Sequence, residues 1–230
     1  MAAGYLFRRR IDVNAIPRNP AWLSFGEEVG NAVTHGVAAL LVLISMPFAY
    51  ITAYKGGNLV DLAGVTIFCI SIFLMFLNSM IYHIMEPGSR HKEVMRIMDH
   101  IFIYVAIAGT YTPIALSVIG GWQAILILTV QWVTVIAGIL YKSLAKMSIP
   151  KVSVLIYLIM GWTLLMFMPL FIRNANRVLF WLIFAGGLLY TLGAIIYAKR
   201  GFRYFHMVWH LFVFTAACTH FVGICFFLFT

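Results

Sequence analysis

The ionisable side chains that stand out within or beside the apolar runs of this sequence are few: His35, His83, Asp99, His100, His206, His210 and His220, with Glu27 and Glu28 at the entrance to the first run. Such groups are costly in hydrocarbon and are functional candidates by default. His206 and His210 are four residues apart, so on a helix they share a face, about 6 Å apart along the axis. Two imidazoles at that spacing can grip one divalent cation, and His83, from another helix, can supply a third ligand. Three histidines with water in a fourth position form a known catalytic zinc arrangement. Imidazole also suits copper, iron and nickel, and haem held between opposed rings such as His83 and His210 stays open. Ser79 precedes His83 by four residues and faces the same way. Asp99 can orient a metal-bound water or take its proton. Glu28, Asn31 and His35 follow the spacing i, i+3, i+7 on one stripe. They read either as a polar network beside the metal or as a helix-start carboxylate with interhelical hydrogen bonds.

A lone histidine near a membrane interface usually snorkels or caps a helix, and only the set of three points to metal. His100 falls on a different face from Asp99 and reads as interfacial. His220 lies about 15 Å further along the helix than His210, too far to share its ion, and reads as a buried, hydrogen-bonded residue. His91 falls in a connection and carries no signal.

The elements that must position these groups are membrane helices. Of 230 residues, 63% are hydrophobic and 10% charged, with a mean hydropathy of +0.97. Soluble domains run at roughly 45–50% apolar and 25% charged, so lipid must be the solvent for most of these side chains. A helix crosses a hydrocarbon core of about 30 Å with about 20 apolar residues. The sequence divides into seven such runs, near 29–53, 60–84, 99–118, 122–141, 152–172, 178–198 and 205–229, separated by turn-like breaks such as Gly56-Gly57-Asn58 and Pro87-Gly88-Ser89. The expected organisation is therefore an amino-terminal segment, 1–28, and a seven-helix transmembrane domain, 29–230. Asn19-Pro20 followed by Ala21 to Phe25 reads as a short interfacial helix. Pro47, Pro113 and Pro169 fall inside spans, where they can kink the helix.

Charge sets the expected orientation. The amino-terminal segment and the second, fourth and sixth connections hold thirteen of the sixteen Lys and Arg residues, while the opposite side holds only Lys55, Arg173 and Arg177. The positive-inside rule then places the amino terminus in the cytoplasm and Thr230 outside. His83, Asp99, His206, His210 and the Glu28 stripe all fall in the cytoplasmic layer, although they come from four different spans. The net charge of +9 sits in short clusters that suit anionic headgroups better than nucleic acid. Cys69, Cys218 and Cys225 lie inside apolar runs without a paired motif, so neither a disulfide framework nor a cysteine zinc site is expected. No cleavable signal peptide is expected after Arg8, Arg9 and Arg10. A retinal protein is excluded because every lysine falls at a span end or in a connection, and the charge count opposes a G-protein-coupled receptor.

The ordered set Glu28-x-x-Asn31-x-x-x-His35, Ser79-x-x-x-His83, Asp99 and His206-x-x-x-His210 resembles the haemolysin III family, bacterial relatives of the progestin and adipoQ receptors and, more distantly, of alkaline ceramidases. The resemblance covers nearly the whole chain. It implies a seven-helix bundle in a bacterial inner membrane with zinc near the cytoplasmic face, His83, His206 and His210 as its ligands, and Asp99 and Ser79 beside them. The adiponectin-receptor relatives are regarded as zinc-dependent ceramidases. The family name comes from pore-forming activity, and bacterial members have been tied to control of membrane fluidity. Two functions follow as expectations. One is a zinc-dependent hydrolase of a membrane-lipid amide or ester, with Asp99 as general base, Ser79 orienting it or the substrate, and membrane lipids as partners. The other is a non-enzymatic membrane sensor or pore-forming lysin with structural zinc. The substrate and the oligomeric state are not written in the motifs.

Overall fold

A computed structural model describes residues 23–144, 150–199 and 201–229. Residues 19–22 of the expected interfacial helix lie outside the described residues; of the rest, Leu23 is not helical, Ser24 caps α1 and Phe25 begins it. Among the described residues every regular element is helical: α1 (Phe25–Gly56), α2 (Leu59–Ile84), α3 (Arg90–Ile114), α4 (Gly121–Leu144), α5 (Pro150–Gly161), α6 (Met168–Asn174), α7 (Arg177–Lys199) and α8 (Phe205–Phe227). With α5 and α6 taken as one crossing, seven segments are long and apolar enough to span a bilayer. Large apolar side chains such as Leu40, Ile44, Ile125, Ile136 and Leu188 remain exposed on the outer surface, where lipid is their natural solvent.

The caps explain where the helices start. Ser24 and Glu27 form a capping box, so α1 begins at Phe25, four residues ahead of its apolar run. Ser89 accepts the backbone N–H of Lys92 at 3.1 Å, and α3 begins at Arg90, nine residues ahead of the expected 99. Hydropathy marks only the part of a helix that lies in lipid, whereas the helix itself starts where a side chain satisfies its first free N–H groups. Two further turns of α3, carrying Lys92 and Arg96, thereby join the bundle.

The fifth crossing departs from the expected continuous helix. α5 ends at Gly161, a 3₁₀ turn covers Thr163–Phe167, and α6 resumes at Met168. Backbone groups released in lipid need new partners, and neighbouring helices supply them. Tyr111 on α3 donates its hydroxyl to Gly161 O at 2.7 Å and accepts from Leu164 N at 3.0 Å. Gln131 on α4 donates to Met160 O at 2.9 Å. Pro169 sits in the first turn of α6, where its missing N–H costs nothing. Pro113 is followed by a π-helical turn over Ala115–Ile119, and Pro47 lies within an uninterrupted α1.

α2 packs against both α1 and α3, α7 pairs with α8, and α8 returns to α1. α5 closes the gap between α3 and α7 with far looser contact. The close approaches use small residues: Gly109 on α3 lies so near Ser71 on α2 that any side chain there would collide with it. α1, α2 and α8 carry His35, His83, His206, His210 and His220, and the loose seating of α5 against α3 and α7 leaves a cavity there.

Candidate metal centre

His83 lies in the last turn of α2, and His206 and His210 lie in the first two turns of α8. Their ring centroids are separated by 5.1 Å (His83–His206), 5.1 Å (His83–His210) and 4.7 Å (His206–His210). One ligating atom from each lies within 4.8 Å of the other two.

α1 sets the orientation of two of these rings. Glu28 Oε2 is 2.6 Å from His83 Nδ1, and a carboxylate there requires the ring proton on Nδ1. Lys92 Nζ in turn bonds Glu28 Oε1 at 2.9 Å and donates to Met85 O at 3.1 Å. His210 Nδ1 is 3.3 Å from Asn31 O and 3.4 Å from Thr34 Oγ1, and the carbonyl can only accept. Both rings therefore present an Nε2 lone pair to the cluster, the tautomer that a metal-ligating histidine adopts when its other nitrogen is held by a carboxylate or carbonyl. Those two Nε2 atoms are buried and have no hydrogen-bond partner in the protein. A buried polar atom left unpaired costs about 1–3 kcal/mol, so two in one spot call for a ligand. A three-imidazole donor set suits a borderline-soft divalent ion such as zinc, and these residues fit one.

The start of α8 is positioned by a second contact with α1. Tyr204, which precedes Phe205, has φ 64°, a left-handed conformation that costs a non-glycine residue of order 1–3 kcal/mol. Its backbone N–H donates to Glu27 Oε1 at 2.9 Å, while Oε2 of the same carboxylate is held by Ser24. Glu27 and Glu28, adjacent on one turn, thus steady both helices that carry the three rings.

The remaining candidates fall around this cluster. His35 stacks flat on His210, with centroids 3.5 Å apart and planes 2° from parallel, and neither of its ring nitrogens has a hydrogen-bond partner. The side chain of Asn31 and the hydroxyl of Ser79 are likewise buried and unpaired. Asp99, 5% exposed, lies 4.0 Å from His100 Nδ1. His35, Ser79 and Asp99 line one cavity of about 120 Å³ that runs between α3, α5 and α7 toward His220. His100 turns aside, with Nδ1 donating to Arg96 O at 2.6 Å. His220 is buried and donates through Nε2 to Ile183 O at 3.0 Å; the seat is tight, because any side chain at Gly186 would strike the ring.

Lys92 is the participant that hydropathy and spacing do not reveal. A start of α3 at 99 leaves Lys92 in a connection. The serine cap at Ser89 is the signal that puts Lys92 on the helix, seven residues before Asp99 and on the same stripe.

A family model described as "Haemolysin-III related" matches residues 23–221. The "Hemolysin-3 homolog" of Bacillus subtilis (strain 168) is 33% identical over 201 residues, 87% of this chain and 94% of that protein. "Hemolysin-3" of Bacillus cereus is 35% identical over 187 residues, 81% of this chain and 85% of that protein. The human "Monocyte to macrophage differentiation factor" is 29% identical over 166 residues, 69% of this chain and 67% of that protein.

Proposed function

We propose that this chain, a multi-pass membrane protein that belongs to the haemolysin-III related family, is a zinc-dependent hydrolase acting on an amide or ester of a membrane lipid. The observation that carries this reading is the pair of buried, unpartnered Nε2 atoms on His83 and His210, converging with His206. His83, His206 and His210 would hold the ion. When bound, it supplies Lewis acidity, lowering the pKa of a water toward about 7 and polarising a scissile carbonyl. Glu28 and Asn31 O keep the His83 and His210 rings in the binding tautomer, and Lys92 keeps Glu28 in place. Asp99 takes the proton from the attacking water as general base. Ser79, with its hydroxyl unpaired at the cavity wall, donates a hydrogen bond to the substrate or to the carboxylate. The positive-inside distribution of Lys and Arg supports placing this layer on the cytoplasmic side of a bacterial inner membrane.

The test is metal analysis and lipid turnover on purified protein, wild type and His206→Ala. About one zinc per chain in the wild type, with metal and turnover both lost in the variant, is expected. Normal lipid hydrolysis by a metal-free variant would contradict the mechanism.

A second reading, a sensor or lysin in which the metal is structural, draws on the names of the two Bacillus relatives. Ion conductance in liposomes, together with an unchanged lipid composition in membranes containing the protein, would favour it.

A further inference from the structure

Three histidines lie within helices near the cluster but outside the proposed ligand set, and two of them are satisfied by backbone. His100 bonds Arg96 O at 2.6 Å and His220 bonds Ile183 O at 3.0 Å. His35 has no such partner. The carbonyl one turn before it, Asn31 O, already accepts from the Thr34 hydroxyl at 2.9 Å and from His210 Nδ1 at 3.3 Å. Both ring nitrogens of His35 are buried without a hydrogen bond. In any protonation state an imidazole carries at least one N–H, so a donor is left unused.

Packing does not account for the ring. His35 lies face to face on His210, with centroids 3.5 Å apart and planes 2° from parallel, an arrangement that aromatic rings avoid in favour of offset or edge-on contact. Phe76 packs edge-on against it at 5.0 Å. A leucine would occupy similar space with no unmet polar atom. Replacing a buried, unpaired polar group by an apolar one of like shape is nearly neutral or stabilising. An imidazole that costs the fold stability belongs to function rather than to packing.

The position of the ring points to its task. It lies one ring thickness from His210, whose Nε2 is turned to the cluster, and it lines the same cavity as Ser79 and Asp99. Resting on the hydrolase reading, we propose that His35 is a further catalytic residue, the N–H donor to the scissile carbonyl oxygen of the lipid amide or ester. As the oxygen of water bonds the carbonyl carbon, the π pair moves onto the carbonyl oxygen, and the hydrogen bond strengthens as charge develops there. Collapse returns that pair, leaves a carboxylic acid and expels the amine or alcohol, which takes the proton that Asp99 removed from water. His35 keeps its own proton throughout, so its contribution needs no change of charge.

The test compares the full-length wild type with His35→Leu, which removes the donor, and His35→Gln, which restores an N–H. With an octanoyl ester of methylumbelliferone as the probe, His35→Leu should lower kcat by about 10²–10³-fold. KM should stay within about threefold and zinc content should be unchanged, while His35→Gln recovers at least about tenfold of the loss. Thermal unfolding should place His35→Leu no lower than the wild type. A second readout needs neither metal nor turnover. Octanoyl methyl ketone, labelled with carbon-13 at its carbonyl, is bound to the protein after chelation, and its infrared carbonyl stretch is expected at lower frequency in the wild type than in His35→Leu. A kcat within about threefold of wild type in His35→Leu would overturn the proposal. So would zinc lost together with turnover, or a leucine variant that unfolds early or fails to fold, since the ring would then be structural. A carbonyl band that His35→Leu leaves unmoved, or no protein-bound band in the wild type, would overturn it as well. If the zinc-loaded wild type hydrolyses no lipid ester or amide but the carbonyl band shifts as expected, the hydrolase reading fails while His35 stands as a carbonyl-binding donor.

Discussion

The two ends of the bundle both bury ionisable groups, but they treat them differently. At the end away from the histidines, Asp61 in the first turn of α2 accepts from Asn58 N at 2.9 Å and from the Ser117 hydroxyl at 2.5 Å. Asn58 caps the same helix by accepting from Val60 and Asp61, and Asn174 donates to Val118 O at 2.9 Å. The carboxylate and the side chains around it are thus tied into caps and interhelical bonds. At the histidine end Glu28 is engaged just as fully, yet its partner His83 keeps an unused Nε2, as does His210. Ser79, His35 and the Asn31 side chain have none of their hydrogen-bonding capacity met by protein. A polar group buried in a membrane bundle does not by itself mark a site, since Asp61 is buried too. Unused donor and acceptor capacity, concentrated where helices converge, is what separates a place that binds something from a place that holds helices together.

Mutations can break or sharpen this contrast. The largest effect short of removing a ligand is expected at Asp99: Asp99→Asn should lower lipid turnover by about 10²–10⁴-fold with zinc content unchanged, measured by lipid hydrolysis beside metal analysis. A fall in metal content instead would make Asp99 a ligand and favour structural zinc. Glu28→Gln, which weakens the hold on the His83 ring, should reduce zinc affinity by about 10–100-fold in competition with a chelator. The smallest effect on the site is expected from Asp61→Ala, which should lower stability by about 1–3 kcal/mol and leave zinc binding alone. If Asp61→Ala and Glu28→Gln disturbed metal and stability alike, the two ends would not be functionally distinct.

Hydropathy makes the seven crossings legible, because lipid selects side chains over some twenty residues and leaves an unmistakable run. The gathering of His83, His206 and His210 is legible too, since a topology derived from charge places them in one layer. The break after Gly161 is not, because hydropathy reports how side chains are solvated and is blind to where backbone bonds are interrupted. Its compensation by Tyr111 and Gln131 depends on contacts between helices distant in sequence. The stripe Glu28, Asn31, His35 carries two meanings when only its spacing is known. The structure gives Glu28 to His83 and the Asn31 carbonyl, rather than its side chain, to His210, a division that spacing alone cannot express. Lys92 escapes a hydropathy reading for a local reason, the serine cap that starts α3 outside the apolar run.

The most direct measurement is X-ray absorption at the zinc edge on protein purified without added metal, for the wild type and for His83→Ala. Three imidazole nitrogens at about 2.0–2.1 Å from a single zinc, with the signal lost or reduced to fewer nitrogens in the variant, is the predicted result. A wild-type sample without zinc, or a zinc spectrum that His83→Ala leaves unchanged, would contradict the assignment of these histidines to a metal.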